Sequence, residues 1–303
     1  MKKPKDVLLT VRDFIRYGVS QFNAAGLCYG HGTDNAFDEA VYLVLETLHL
    51  PVDQLEPYLD ARLTAKERAA VAAIIDKRIK TRKPAAYLTN KAYIQGIPFY
   101  VDERVIVPRS FIGELLCNGR MEGEALIDDP EMVDAVLDLC TGSGCLAIIA
   151  AHVFPHAVVD AVDLSADALA VAKRNVQDSN CADRITLYKG DVFKPLKGKV
   201  YDVIISNPPY VDAKAMRSLP PEYRHEPKMA LAAGDDGLSI VRRILQEAPQ
   251  HLSPEGGLLC EIGRGKALLE DEYPHLNFLW LETEDSVGEV FWLTRKQLSP
   301  KSR

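Results

Sequence analysis

Hydrophobic and polar positions divide the chain into two regimes. Up to about residue 85 the apolar residues recur at spacings of three and four, over Val7 to Ala24 and again over Phe37 to Leu48. That spacing predicts amphipathic helices. A third helix is announced by Thr64-Ala-Lys-Glu67 ahead of AAVAAIID, a capping box in which threonine and glutamate each satisfy a free backbone N–H. Strand patterns are almost missing here, so the front of the chain reads as a small helical bundle. Over Ala92–Val107 the pattern becomes AYIQGIPFYVDERVIV, a β-hairpin with Gly96 near its turn. Ser110 then opens a short helix, and residues 121–131 (MEGEALIDDPE) form a polar linker.

Beyond Val133 strands and helices alternate. Strands are predicted at Ala135–Leu139, Val158–Val162, Ile185–Tyr188, Val203–Ser206 and Gly257–Ile262. Helices are predicted at Cys145–Val153, Ala166–Asp178 and Leu238–His251. Such alternation implies an α/β fold with a mainly parallel sheet. Two late strands, Phe278–Leu281 and Glu289–Leu293, are too close for a crossover helix and must pair antiparallel. Trp280 and Trp292 fall in these strands and are expected in the core.

Composition narrows the class. The 303 residues are 47% hydrophobic and 26% charged, an ordinary globular balance that excludes a disordered or collagen-like chain. Six scattered cysteines form no CxxC pair and no zinc-like grouping, and read as reduced thiols of a cytoplasmic protein. Pro155 separates His152 from His156, so no metal site is expected. No stretch has the length of a signal peptide core or a membrane span. The formal net charge of −7 speaks against a general nucleic-acid coater. It is unevenly spread: residues 1–90 carry +2 and the remainder −9. Lys77, Arg78, Lys80, Arg82 and Lys83 crowd one helix end. They read either as a solvated end favoured by the helix dipole or as a docking edge for a substrate that works among RNA.

The candidate chemistry lies at successive strand ends. Asp138-Leu-Cys140-Thr141-Gly142-Ser-Gly144-Cys follows the first strand of the alternating region. Glycines there allow a sharp turn and close approach of a ligand to a helix N-terminus. Asp163 ends the second strand and Asp191 follows the third, in Lys-Gly-Asp191-Val192-Phe193. Each acid alone is readily a cap or loop residue. Three on one sheet edge suit a nucleoside ligand, including a cationic one. The fourth strand runs into Asn207-Pro208-Pro209-Tyr210. Asn207 offers a carbonyl acceptor, and the prolines have no N–H to donate. An acceptor-rich turn suits a planar –NH2 group, whose two hydrogens are accepted by Asn207 Oδ1 and the Pro208 carbonyl. Tyr210 can pack against the flat group.

These residues resemble the class I S-adenosylmethionine-dependent methyltransferases with an NPPY motif. The flanks narrow the likeness. Arg82-Lys-Pro84-Ala-Ala-Tyr87, Gly96-x-x-Phe99, Val107-Pro-Arg109-Ser110 with Glu114, Glu226-Pro-x-x-Ala-Leu231 and Gly234-Asp-Asp-Gly237-Leu are similar to glutamine-N5 protein methyltransferases. The resemblance covers roughly residues 80–295. Release-factor enzymes of that family usually carry Gly where this chain has Cys140, and Arg-Pro-Glu-Thr-Glu from the position of Arg109. Cys140 and Arg109-Ser-Phe-Ile-Gly-Glu look instead like the enzymes of large-subunit ribosomal protein L-three, although Phe111 replaces an expected proline.

The resemblance implies S-adenosylmethionine as cofactor, held by Asp138, Cys140, Thr141, Gly142, Gly144, Asp163, Asp191, Val192, Phe193 and Asn207. It implies Asn207, Pro208, Pro209 and Tyr210 as the catalytic set around a glutamine. It implies a substrate-recognition domain over 1–88, a hairpin and linker over 89–131, and a methyltransferase domain over 132–298. The implied partners are ribosomal protein L-three or a release factor, with ribosomal RNA as a local contact and no membrane. Three other readings stand beside it: a DNA or RNA exocyclic-amino methyltransferase, a NAD-dependent dehydrogenase favoured by Gly142-x-Gly144-x-x-Ala147, and a non-catalytic ribosome-assembly module. Tyr223, Arg224 and His225 are candidates for a mobile loop over the site, and Glu261 reads as a structural carboxylate.

Overall fold

A computed structural model describes residues 4–118, 126–127, 129–284 and 286–299. The front of the chain forms helices Val11–Ala24, Ala36–Thr47 and Ala65–Thr81. The first is shorter than its apolar pattern suggests, because Thr10 caps it in a reciprocal box with Asp13. Thr64 and Glu67 make the same box at the third. Phe14, Phe22, Leu43, Val44, Val71 and Ile75 lie among the buried residues of a core these helices share.

The hairpin is shorter than expected. Strands β1 (Lys91–Ile94) and β2 (Ile97–Tyr100) flank a two-residue turn. Gln95 and Gly96 both have positive φ there, as such tight hairpin turns require. Residues 101–107 pair with no strand; Val101, Val105 and Val107 instead bury against Tyr87 and Val171. The hairpin is fastened to helix Ala166–Asp178 by Asn175, whose side chain accepts from Tyr100 N–H at 2.8 Å and donates to the Tyr100 and Ser143 carbonyls. Most of the polar stretch at 121–131 lies outside the described residues.

The remainder is a seven-stranded sheet ordered β5-β4-β3-β6-β7-β9-β8. Its strands are β3 (Ala135–Leu139), β4 (Val158–Asp163), β5 (Ile185–Lys189), β6 (Tyr201–Ser206), β7 (Leu252–Glu261), β8 (Leu279–Glu282) and β9 (Val287–Thr294). The first five are parallel. β9 runs antiparallel between β7 and β8. Alternate residues feed two cores, Val136, Val203 and Leu259 on one face and Leu137, Ile204 and Leu258 on the other. The helix expected over Leu238–His251 ends at Glu247 and tightens into a single turn over Ala248–Gln250. Pro249 has no N–H to continue the helical ladder. Trp292 is buried, whereas Trp280 is half-buried and shares its face with the Lys266 ammonium. Among the described residues no helix is long and apolar enough to cross a membrane.

Because β4 and β5 lie on one side of β3 and β6 on the other, the strand order reverses beside β3. Ligands of open α/β sheets bind at that point, outside the carboxyl ends of the strands.

Candidate active site

Two adjoining cavities open there. The larger, about 320 Å³, is lined by Cys140, Thr141, Gly142, Asp163, Asp191, Val192, Asn207 and Pro209, together with Leu164, Met229 and Ile240. The smaller, about 220 Å³, is lined by Asn207, Pro208, Tyr210, Leu219 and Tyr223 among others. Ile106, Arg109, Asn207 and Ala230 face both. The NPPY turn therefore divides one chamber from the other.

The wall of the larger cavity is built locally. Cys140, Gly142 and Gly144 all have positive φ, which turns the chain sharply from β3 into helix Cys145–Val153. At Gly144 a Cβ would sit 3.2 Å from the Ala172 Cβ, so glycine lets the turn press onto helix Ala166–Asp178. Both Asp163 oxygens accept backbone N–H groups, Oδ2 from Gly142 at 2.9 Å and Oδ1 from Ser165 at 2.8 Å. Each oxygen keeps a second lone pair for hydroxyls of a ligand. Burial pushes its pKa up, opposed by those N–H groups. Val192 follows Asp191 at φ 53°, a strained conformation for a β-branched residue.

Not every expected residue reaches the cavity. Asp138 is fully buried behind the turn, where Oδ2 accepts from Thr141 Oγ1 at 2.5 Å and from Ala147 N–H at 3.1 Å. Its role is to brace the loop. Desolvation, only partly offset by those bonds, pushes its pKa up to about 7. Phe193 is also buried away from the cavity, stacked on His251 with ring centres 4.6 Å apart. Gly144 acts through packing and lines neither cavity. Asp191 does line the larger cavity, while accepting from Lys194 and Arg243 at 2.6 and 2.8 Å. Those cations hold its carboxyl at about 2.

The wall of the smaller cavity is built from distant residues. Ser206 Oγ donates to the Leu139 carbonyl and ties the end of β6 to β3. Asn207 follows half-buried, its amide making no protein hydrogen bond among the described residues. The chain then makes an excursion whose base is pinned by Val211 N–H to Leu231 O and Ala233 N–H to Val211 O. Two buried glutamates hold its far side. Arg82 Nη2 lies 2.7 Å from Glu222 Oε1, which also accepts from Cys28 N–H at 3.0 Å. Arg78, itself buried on Glu39 at 2.8 Å, stands 3.7 Å from the same oxygen. Glu226 takes Arg109 bidentately at 2.6 and 2.9 Å and accepts the Val107 N–H at 2.9 Å. Burial would raise Glu226, but His31 and the Arg109 guanidinium outweigh it and hold the carboxyl at about 2. Tyr223 packs on His31 with ring centres 4.2 Å apart, beneath the Arg109 guanidinium.

Two expectations change accordingly. The segment around Tyr223 is clamped by ion pairs and ring contacts and does not hang free over the site. The cluster Lys77–Lys83 does not all face outward: Arg78 and Arg82 turn inward to Glu222 and Lys83 pairs with Glu103, while Lys77 and Lys80, the latter beside Asp76, stay exposed. Arg109, His31 and Glu222 were not picked out as site residues from the sequence; the only local hint was a pair of acids within an otherwise basic, proline-flanked loop. Among the described residues no cluster of His, Cys, Asp and Glu is arranged for a metal ion.

The reversed strand order, the glycine turn and the acceptor-rich turn define a class I methyltransferase. The crystal structure of the hMettl16 catalytic domain in complex with MAT2A 3′UTR hairpin 6 has the same fold, with a TM-score of 0.50 at 16% identity over 74% of this chain and 80% of that one. A family model, methyltransferase small domain, matches residues 124–220. The ribosomal protein uL3 glutamine methyltransferase of Bradyrhizobium diazoefficiens is 57% identical over 96% of this chain and 92% of its own. That of Burkholderia pseudomallei is 57% identical over 95% of each. The chain belongs to the ribosomal protein uL3 glutamine methyltransferase family.

Proposed function

We propose that this protein transfers the methyl group of S-adenosylmethionine to the side-chain amide nitrogen of a glutamine in ribosomal protein uL3, in the cytoplasm. The observation that carries the reading is the position of Asn207, which faces both cavities at once. A methyl donor in the larger cavity and an amide in the smaller meet at that residue. The larger cavity fits the donor by its chemistry: acids at the ends of β4 and β5, a glycine turn, and apolar Leu164, Val192 and Ile240 to enclose a planar base. Gly142, Asp163 and Asp191 hold the donor there, and Asp138 and Gly144 keep the loop in shape.

When bound, S-adenosylmethionine would supply a sulfonium-activated methyl group: the amide nitrogen would form the N–C bond as the S–C bond breaks, the neutral thioether leaving and the nitrogen giving up one proton. The protein's part is placement. Asn207 Oδ1 and the Pro208 carbonyl accept the two amide hydrogens, fix the nitrogen's direction and draw its lone pair out of conjugation. Pro208 and Pro209 add no donor that would compete for that lone pair. Tyr210 and Tyr223 wall the smaller cavity around the flat group.

The near full-length likeness to uL3 enzymes favours that substrate over a release factor. The helical module, expected as residues 1–88, serves recognition by fixing the wall that holds the glutamine. With Arg78 buried and Arg82 turned inward on Glu222, fewer of the five clustered bases are left for any contact with RNA along Lys77–Lys83. The test is methyl incorporation from labelled cofactor into purified uL3, a release factor and ribosomal RNA, with the modified residue located by mass spectrometry. Labelling of RNA, or of the release factor alone, sinks the reading. Asn207→Ala should lower turnover on uL3 about 10²- to 10³-fold, the size of losing one preorganised transition-state contact, with cofactor affinity nearly unchanged.

A further inference from the structure

Glu261 ends β7 beside the site and is 1% exposed. Among the described residues no lysine or arginine lies within ion-pair range of it. A carboxylate placed so is costly unless donors surround it. Three do. Oε2 accepts from Ser110 Oγ at 2.7 Å and Phe111 N–H at 3.0 Å, and Oε1 accepts from the Tyr210 hydroxyl at 3.2 Å. Glu261 thus joins the end of β7 to the NPPY tyrosine and to the segment after Arg109, one of the residues that face both cavities. The Tyr210 ring is also held from its face: a Cβ at Gly263, where φ is +54°, would sit 2.7 Å from Tyr210 Cε2. Only a bare backbone allows that approach.

We propose that Glu261 is a positioning residue for methyl transfer, acting through Tyr210: as the carboxylate it fixes the ring that walls the glutamine chamber. This rests on the function proposed above. The ionised group accepts all three bonds, and the bond from Tyr210 is charge-assisted. Protonation places a donor among three donors, so one contact must reverse or break. The groups that face Glu261 are Tyr210, Ser110 and, on β9, Glu289; the Cys260 side chain points to the other face of the sheet. Burial, helped by Glu289 and opposed by the three donors, pushes its pKa up to about 7.

The test compares wild type, Glu261→Gln, Tyr210→Phe and the double variant on uL3, reading kcat and KM against pH with cofactor binding by calorimetry. Wild-type kcat should rise through neutral pH. Glu261→Gln should lose that step and run about tenfold slower, the scale of one charge-assisted hydrogen bond, with unchanged cofactor affinity. Tyr210→Phe should lose the same step, and the double variant should be no slower than the slower single one. An unaltered pH step in either single variant overturns the proposal, and Tyr210→Phe decides if Glu261→Gln fails to fold. A second readout needs no substrate. In protein with isotope-labelled tyrosine, the Tyr210 ring signals should titrate near neutrality in wild type and not in Glu261→Gln. Failure of wild type to methylate uL3 would count against the function alone, while the ring titration still decides the role of Glu261.

Discussion

The two walls of the active site are made by opposite strategies. On the side of the larger cavity the polar groups come from consecutive strand ends, and their partners lie within the α/β sheet and its helices. Asp163 holds Gly142 and Ser165, and Asp138 holds Thr141 and Ala147. On the side of the smaller cavity the chain leaves the sheet after Tyr210 and is held through Glu222 and Glu226 by groups more than a hundred residues away. The glycine turn and Asp163 need little beyond the α/β sheet, although Val105, Arg109 and Met229 complete the larger cavity. The second wall cannot form until the helical module, the hairpin and the sheet have come together. On the function proposed above, donor binding thus leans on the sheet, and the choice of substrate on the wall that depends on assembly.

The largest break in that contrast is expected at Glu222. Glu222→Ala removes the carboxylate that Arg82 and Arg78 share and leaves the Cys28 N–H without its acceptor. Losing one partner of a buried ion pair costs about 3–5 kcal/mol. Here the lower end applies, because Arg78 keeps Glu39 and Arg82 is partly exposed. Denaturant unfolding of the variant should show that loss, and KM for uL3 should rise. Cofactor affinity should hold within about twofold, since no Glu222 contact reaches the larger cavity. An equal loss of cofactor affinity would mean that the walls are not separable.

The same contrast sets what the sequence reveals. The helices, the alternating strands and the antiparallel end follow from periodicity, because each is decided by residues within a few positions. The glycine turn and NPPY are legible for the same reason. Asp138 and Phe193 show where proximity in sequence misleads: they adjoin cavity residues but point into the interior, as alternation along the strand and the turn at Val192 dictate. Arg78 reads as a surface base in a run of bases. It is buried only because Glu39 and Glu222 meet it from other elements. No local pattern encodes that meeting.

Asp138 offers a test of intermediate size on the wall of the larger cavity. Its folded pKa lies near 7 against an ordinary value of 3.8. The folded protein therefore binds more protons than the unfolded chain between those values, and this group's contribution to stability falls as pH rises through that window. Above it a buried carboxylate remains, with Oδ1 lacking a partner. Asp138→Asn removes the charge and keeps an acceptor for Thr141 or Ala147. Unfolding free energies taken between about pH 5 and about pH 8 should show the variant gaining on wild type by about 2–3 kcal/mol as pH rises. A constant difference across that range would mean that Asp138 does not titrate there and would remove desolvation as the cost of bracing the loop.

The smallest effect is expected at Cys140, the position that distinguishes this chain from the release-factor pattern. Its φ of +61° lies in the left-handed region, where a residue with a Cβ is held at a cost of about 1–2 kcal/mol. Glycine would relieve that cost. Against this, Cys140→Gly loses the packing of a half-buried thiol and adds about 0.5–1 kcal/mol of unfolded-chain entropy. The terms nearly cancel, so stability should change by less than about 1 kcal/mol and turnover on uL3 by less than about twofold. If Cys140 instead selects the substrate, Cys140→Gly will shift the ratio of kcat/KM for uL3 over a release factor, and choice of substrate will have entered the cofactor wall. An unchanged ratio leaves selection to the wall that Glu222 and Glu226 hold in place.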